Sequence, residues 1–163
     1  MGIGAPRGGP GIVPVSFGLT IGNTNANIGS GFTSGSTWAA DATGTVNFLT
    51  VLYGTSGPYG GNFRLVIYAA SSPTTWGAKL AETAAQSGIN ANQAKKVALL
   101  SPLNVVAGTL YALCVQTDNN FGVRADTGQT CRYFSDSYGD GAAASAGGLS
   151  SFAGAPVILA SSS

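Results

Sequence analysis

RLVIYAASSPTTWGAKLAET, residues 64–83, decides the fold reading. With Phe63 in front, Leu65 and Ile67 recur at every second position, so residues 63–69 read as a strand with one apolar face. Pro73 and Gly77 fall in a cluster of Ser and Thr that marks a turn, and a second strand follows at 78–84. The unit is strand, turn, strand, with Trp76 at the turn and almost no reactive side chain.

The same period recurs outward in both directions. VPVSFGLTI (13–21) places Val13, Val15, Phe17, Leu19 and Ile21 on one face, with Pro14 on the other, as at a strand start or sheet edge. Further strands are expected at 45–53, 95–101, 109–117, 121–126, 130–135 and 156–160. Residues 22–36 and the long DSYGDGAAASAGGLSSFAG stretch read as loops by composition. NANQAKKVALL (90–100) is the one helix candidate, a single turn before its strand. Pro102, Asn104 and Gly108 interrupt the most apolar stretch, residues 97–115, which reads as two strands around a turn and not a membrane span. Eight or nine short strands with Gly-rich turns give an all-β, antiparallel β-sandwich, jelly-roll-like. Residues 1–11, Gly and Pro with one Arg, form a flexible or docked N-terminal arm, and 12–163 a single sandwich domain.

Composition narrows the function. Charged residues make up 8% of the 163, against roughly 25% in ordinary domains. Gly accounts for 25 residues, so small neutral groups cover the surface, which tolerates dense packing in an assembly. A net charge of +1 offers no basic footprint for nucleic acid. The first residues lack the apolar core of a secretion signal, and Pro6 breaks a myristoylation motif. With no His, Ser and Cys triads are excluded, and no Walker loop or spaced dinucleotide-binding glycine motif occurs. A glycosidase-like carboxylate pair drawn from Asp41, Glu82, Asp118, Asp126, Asp136 and Asp140 requires only proximity, but loop placement makes solvated carboxylates the default. DSYGDG (136–141) reads as a turn rather than a calcium loop, because it lacks regular ligand spacing. No catalytic, cofactor or metal residues are therefore expected. Cys114 reads as a buried free thiol, and a disulfide to Cys131 stays open. Arg124 and Arg132 are expected to pair with Asp126 and Asp136 or to cap carbonyls.

GNFRLVIYAASSPTTWGAKLAET (61–83), followed by KKVALLSPLNVVAGTLYALCVQTD (95–118), resembles jelly-roll modules of tailed-phage virion proteins, both capsid decoration or cement and tail-associated ones. It is also similar to carbohydrate-binding jelly rolls. Val105, Ala107, Gly108, Thr109 and Tyr111 match the entry to a core strand in such modules, and the likeness covers roughly 45–117. The acidic turn usual after the "IY" pair is Ser, Thr and Trp here, which speaks against a calcium or sugar site at that turn.

The resemblance implies a non-enzymatic structural protein: a capsid decoration or cement subunit on the virion surface, made in the host cytoplasm. Its partners would be the major capsid protein or other virion proteins, with no nucleic acid and no membrane. Ile3, Pro6, Arg7, Pro10 and Ile12 are the expected particle contacts. A homo-oligomer, with a trimer favoured, follows from the apolar Val13–Ile21 face. The alternative is a carbohydrate-binding module of a tail receptor-binding or adhesin protein, contacting glycan through Trp76, Tyr59 and Tyr138. Trp38 is assigned to the core.

Overall fold

The computed structural model describes residues 14–55, 61–87 and 91–163. The arm positions Ile3, Pro6, Arg7, Pro10 and Ile12, together with Val13 and Tyr59, lie outside them. Strands run in the order β1 (Ser16–Gly18), β2 (Thr24–Ile28), β3 (Phe32–Ala39), β4 (Gly44–Leu52), β5 (Asn62–Ser72), β6 (Thr75–Glu82) and β7 (Gln86–Ser87). They continue as β8 (Ala94–Val105), β9 (Leu110–Thr117), β10 (Phe121–Ser135), β11 (Ser150–Pro156) and β12 (Ile158–Ser161).

Two antiparallel sheets pack face to face. Sheet 1 has the order β1-β12-β4-β8, and sheet 2 the order β11-β10-β3-β9-β5-β6, with β2 added on β10 and β7 on β5. Without β2, β7, β10 and β11, eight strands remain. Counted along the chain, they lie first-eighth-third-sixth in sheet 1 and second-seventh-fourth-fifth in sheet 2. That interleaving is the jelly roll.

The inner faces meet in a core containing Val46, Leu49 and Val51 from sheet 1 and Phe63, Leu65, Ile67, Leu113 and Val115 from sheet 2. Sheet 2 is apolar on its outer face as well. Val66, Tyr68, Ala112, Cys114 and Phe134 form a second cluster there with Trp76 and Ala142. Residues 136–149 cross that face as a strap, which explains why residues 65–70 of β5 and 110–115 of β9 are apolar on both faces.

Several sequence expectations are corrected. The strand at 13–21 shortens to Ser16–Gly18. Val15 and Phe17 are buried in the chain's own core and Leu19 is half-buried, leaving Ile21 exposed at 77%. The apolar face offered as the motive for a trimer is thus largely satisfied internally. The 22–36 "loop" contains β2 and half of β3. Its small residues are a packing requirement, since a side chain at Gly35 would collide with the Leu113 carbonyl and with Cys114 on β9. Residues 121–135 are one strand bulged between Asp126 and Thr130, and β11 emerges from the expected long loop. Among the described residues no helical turn precedes β8, which continues through Pro102; the register with β4 breaks between Ala98 and Leu103, so Pro102 lies in an edge-strand bulge where it withdraws no ladder donor. The turn comes later, where Gly108 takes φ +75°.

Cys114 and Cys131 are both free and buried. Cys114 pairs with Gly35, and Gly35 with Arg132, so Cys131, one residue on, points to the opposite face. A disulfide cannot form through the sheet. A thiol reagent should find no reactive group in the native protein and two after denaturation; one or two fast-reacting native thiols would contradict this arrangement.

Candidate functional site

The strap is held by side chains from four strands of sheet 2. From β3, Thr33 Oγ1 donates to Asp136 Oδ2 at 2.6 Å, and the same carboxylate oxygen accepts from the Ala143 amide at 3.2 Å. From β5, Tyr68 OH donates to the Ala143 carbonyl at 3.0 Å, and Arg64 Nη2 to the Tyr138 carbonyl at 3.3 Å. From β6, Lys79 Nζ bridges Glu82 Oε1 and the Ala142 carbonyl, both at 2.8 Å. From β9, Gln116 Nε2 donates to the carbonyls of Ser137 (3.1 Å) and Gly141 (3.3 Å). Gln116 is fully buried, and its Oε1 has no hydrogen-bond partner; Arg64 Nε is likewise buried without one. Burial pushes the Tyr68 phenol well above its ordinary range, with Cys114, Asp136 and Glu82 adding to the effect.

Beside the strap opens a polar cleft of about 760 Å³, lined by Gly31, Asp118, Ser135, Asp136, Ser137, Tyr138 and Gly139. Two of the six acidic residues therefore face one space, but the chain already engages both. Asp118 accepts from the Asn62 amide at 2.6 Å and from its Nδ2 at 2.7 Å, while Asp136 serves Thr33 and Ala143. Among the described residues, no three of His, Cys, Asp and Glu come together as a metal site would need.

A second recess lies on the inner face of sheet 2, where the β10–β11 end extends the eight-strand frame. Ser34 pairs with Val115 of the core and with Tyr133, which fixes the face. Phe32, Tyr133 and Phe152 are half-buried there, with ring centroids 5.4 Å (Phe32–Tyr133) and 5.7 Å (Tyr133–Phe152) apart. With Gly29 and Ser34 they line an apolar groove of about 230 Å³.

The aromatic contacts expected from the sequence fare differently. Trp76 is buried at 6% exposure in the outer cluster, with Nε1 donating to Thr37 Oγ1 at 2.8 Å, so it is not an exposed contact. The strap covers it, which the turn composition around Thr75 and Gly77 did not announce. Tyr138 does line the cleft, half-buried, with the Arg64 guanidinium 4.5 Å from its ring centroid. Burial raises its phenol pKa, and Arg64 opposes that rise. Trp38 packs against the core as assigned. Arg124 caps the Gly22 carbonyl at 2.7 Å, in keeping with the carbonyl-capping alternative. Sequence reasoning missed the Thr33–Arg64–Gln116–Asp136 group and the Phe32–Tyr133–Phe152 groove. The available signal was Arg64 beside Phe63 and Leu65, and Gln116 beside Val115: single polar residues bordering runs that are apolar on both faces.

Comparison with known proteins finds no match to any family profile, curated protein or solved structure.

Proposed function

We propose that this chain is a non-enzymatic structural subunit of a virion, decorating or cementing the capsid surface through protein–protein contacts. The supporting observation is the outer face of sheet 1. Thr50 pairs with Leu159 on one side and Lys96 on the other, so these residues share the face turned away from the core, as do Phe48 with Ala98 and Leu52 with Ala94. Phe48, Leu52 and Leu159 are only half-buried. No strap crosses this face among the described residues. Lys96, whose ammonium sits 4.3 Å from the Phe48 ring centroid, is the one charge among these paired positions. An apolar, nearly uncharged sheet face suits a neighbouring protein subunit better than solvent. The Gly/Pro arm, read from sequence, would add an irregular second contact.

The doubly substituted Leu52→Glu, Leu159→Glu protein should keep its thermal midpoint within a few degrees. It should bind particles stripped of this subunit at least ~10-fold more weakly, the scale of a lost interface hot spot. Undiminished binding would remove the support taken from this face. Deleting residues 2–11 should also weaken attachment without changing stability.

The Phe32–Tyr133–Phe152 groove favours the second reading, a glycan-binding module, because flat rings beside Ser34 suit stacking on a sugar. Saturable glycan binding by the intact chain, abolished by Tyr133→Ala, would put that reading first.

A further inference from the structure

Beneath the strap, the buried Thr33 hydroxyl and Gln116 carboxamide meet the Asp136 carboxylate, which stands at the edge of the cleft. Thr33 on β3 and Gln116 on β9 are direct cross-strand partners, and both are 0% exposed. Opposed residues on one face hold their Cβ atoms roughly 4.5–5.5 Å apart, within reach of a bond between the side chains. The Thr33 hydroxyl already points its proton at Asp136 Oδ2, 2.6 Å away. The Gln116 carboxamide is fixed by two bonds from Nε2 to strap carbonyls, leaving Oε1 buried and unpartnered. On the other side of Gln116, its cross-strand partner on β5 is Arg64, whose Nε is the unpartnered buried donor. An orphaned acceptor and an orphaned donor on paired positions are what an oxyanion site holds before charge develops.

We propose that Thr33 and Gln116 join in an intramolecular ester between β3 and β9. Asp136 accepts the hydroxyl proton as Thr33 Oγ1 attacks Gln116 Cδ, forming the C–O bond and moving the carbonyl electron pair onto Oε1. Arg64 Nε–H is the donor for that oxyanion. Collapse of the tetrahedral centre breaks the Cδ–Nε2 bond, and the proton held by Asp136 passes to the departing nitrogen, which leaves as ammonia. One C–O bond replaces one C–N bond, with no oxidant or reductant. Protonation of ammonia in bulk water opposes the reverse reaction, and the full burial of Thr33 and Gln116 shields the ester from hydrolysis. Fixed neighbours in a folded chain supply the proximity that a free Thr and Gln lack. This inference stands independently of the virion reading.

The intact mass of the folded full chain should fall about 17 Da below the sequence mass, the loss of one ammonia in this acyl transfer. Trypsin should then release peptides 8–64 and 97–124 as one linked species, which hydroxylamine separates. Asp136→Asn should slow the mass loss by at least ~100-fold, the usual weight of a general base. Thr33→Val and Gln116→Glu should abolish it, with far-UV circular dichroism reporting whether each variant keeps the β signature. If the variants fail to fold, the wild-type mass and linked peptide still decide. A folded wild-type chain that keeps its full sequence mass on prolonged incubation overturns the proposal. So does a 17 Da loss that maps to an Asn succinimide elsewhere.

Discussion

Replacing Phe121 with Ala should destabilise the protein by about 3–5 kcal/mol, the usual range for emptying a large aromatic site in a core. Phe121 opens β10 and is fully buried. Its ring stands 4.6 Å from Tyr53 in an edge-on contact and 5.0 Å from Phe63, and Tyr53 and Phe63 are themselves 5.8 Å apart. One substitution breaks two sides of this triangle and leaves a void between β4, β5 and β10. The backbone there is held by pairing with β2, so the surroundings cannot collapse fully into the space. Phe121→Leu keeps most of the volume and should cost clearly less. Urea unfolding with an unchanged m-value gives the measurement. A loss below ~0.5 kcal/mol, the level of a surface change, would mean the triangle is not part of the stabilising core.

Alkaline pH should destabilise the protein sharply, starting near pH 9. Burial raises the Cys131 thiol to about 12, against a smaller lowering by the Gly35 backbone and Arg132. Cys114 is shifted in the same direction, first by burial and then by Cys131 and Asp136. A thiol that keeps its proton longer when folded gives stability that is fully present below the unfolded pKa. That contribution drains away as pH climbs toward the folded value. At pH 11 Cys131 alone should have removed about 2–3 kcal/mol, at ~1.4 kcal/mol for each pH unit. Cys114 steepens the decline, and Tyr68 joins it above pH ~10. Denaturant midpoints at pH 7, 9 and 10.5 would record the slope, and Cys131→Ala should flatten it even though the variant starts less stable. If wild type and variant share one pH curve, the Cys131 thiol is not the group responsible.

Period two made the inner faces legible. Phe63, Leu65 and Ile67 were assigned to one buried face from spacing alone, and all three are fully buried. Where both faces of a strand are covered, that signal disappears. β3 carries Thr33, Ser34, Gly35 and Ser36, which look like a loop but must be small because β9 and β10 press on either side. The strap hides Trp76 for a related reason: nothing within residues 71–77 indicates that a segment some 70 positions later will lie over the turn. Tyr138 was found because an aromatic among Gly and Asp is conspicuous. Gln116 was not, since one amide at the end of an apolar strand reads as a solvent-facing terminus until its partners on β3 and β5 are known.

The position of β12 bears on how the chain acquires its structure. Sheet 1 places β12 between β1 and β4, although its residues follow those of the other eleven described strands along the chain. Until they arrive, β1 has no partner in that sheet, and β4 presents one open row of backbone donors and acceptors beside Leu49 and Val51. Sheet 2 can assemble earlier, since β3, β5, β6, β9 and β10 precede that point. Insertion of four residues, Ile158–Ser161, is then what completes sheet 1, and the interval before it is when two nascent copies can pair edge to edge.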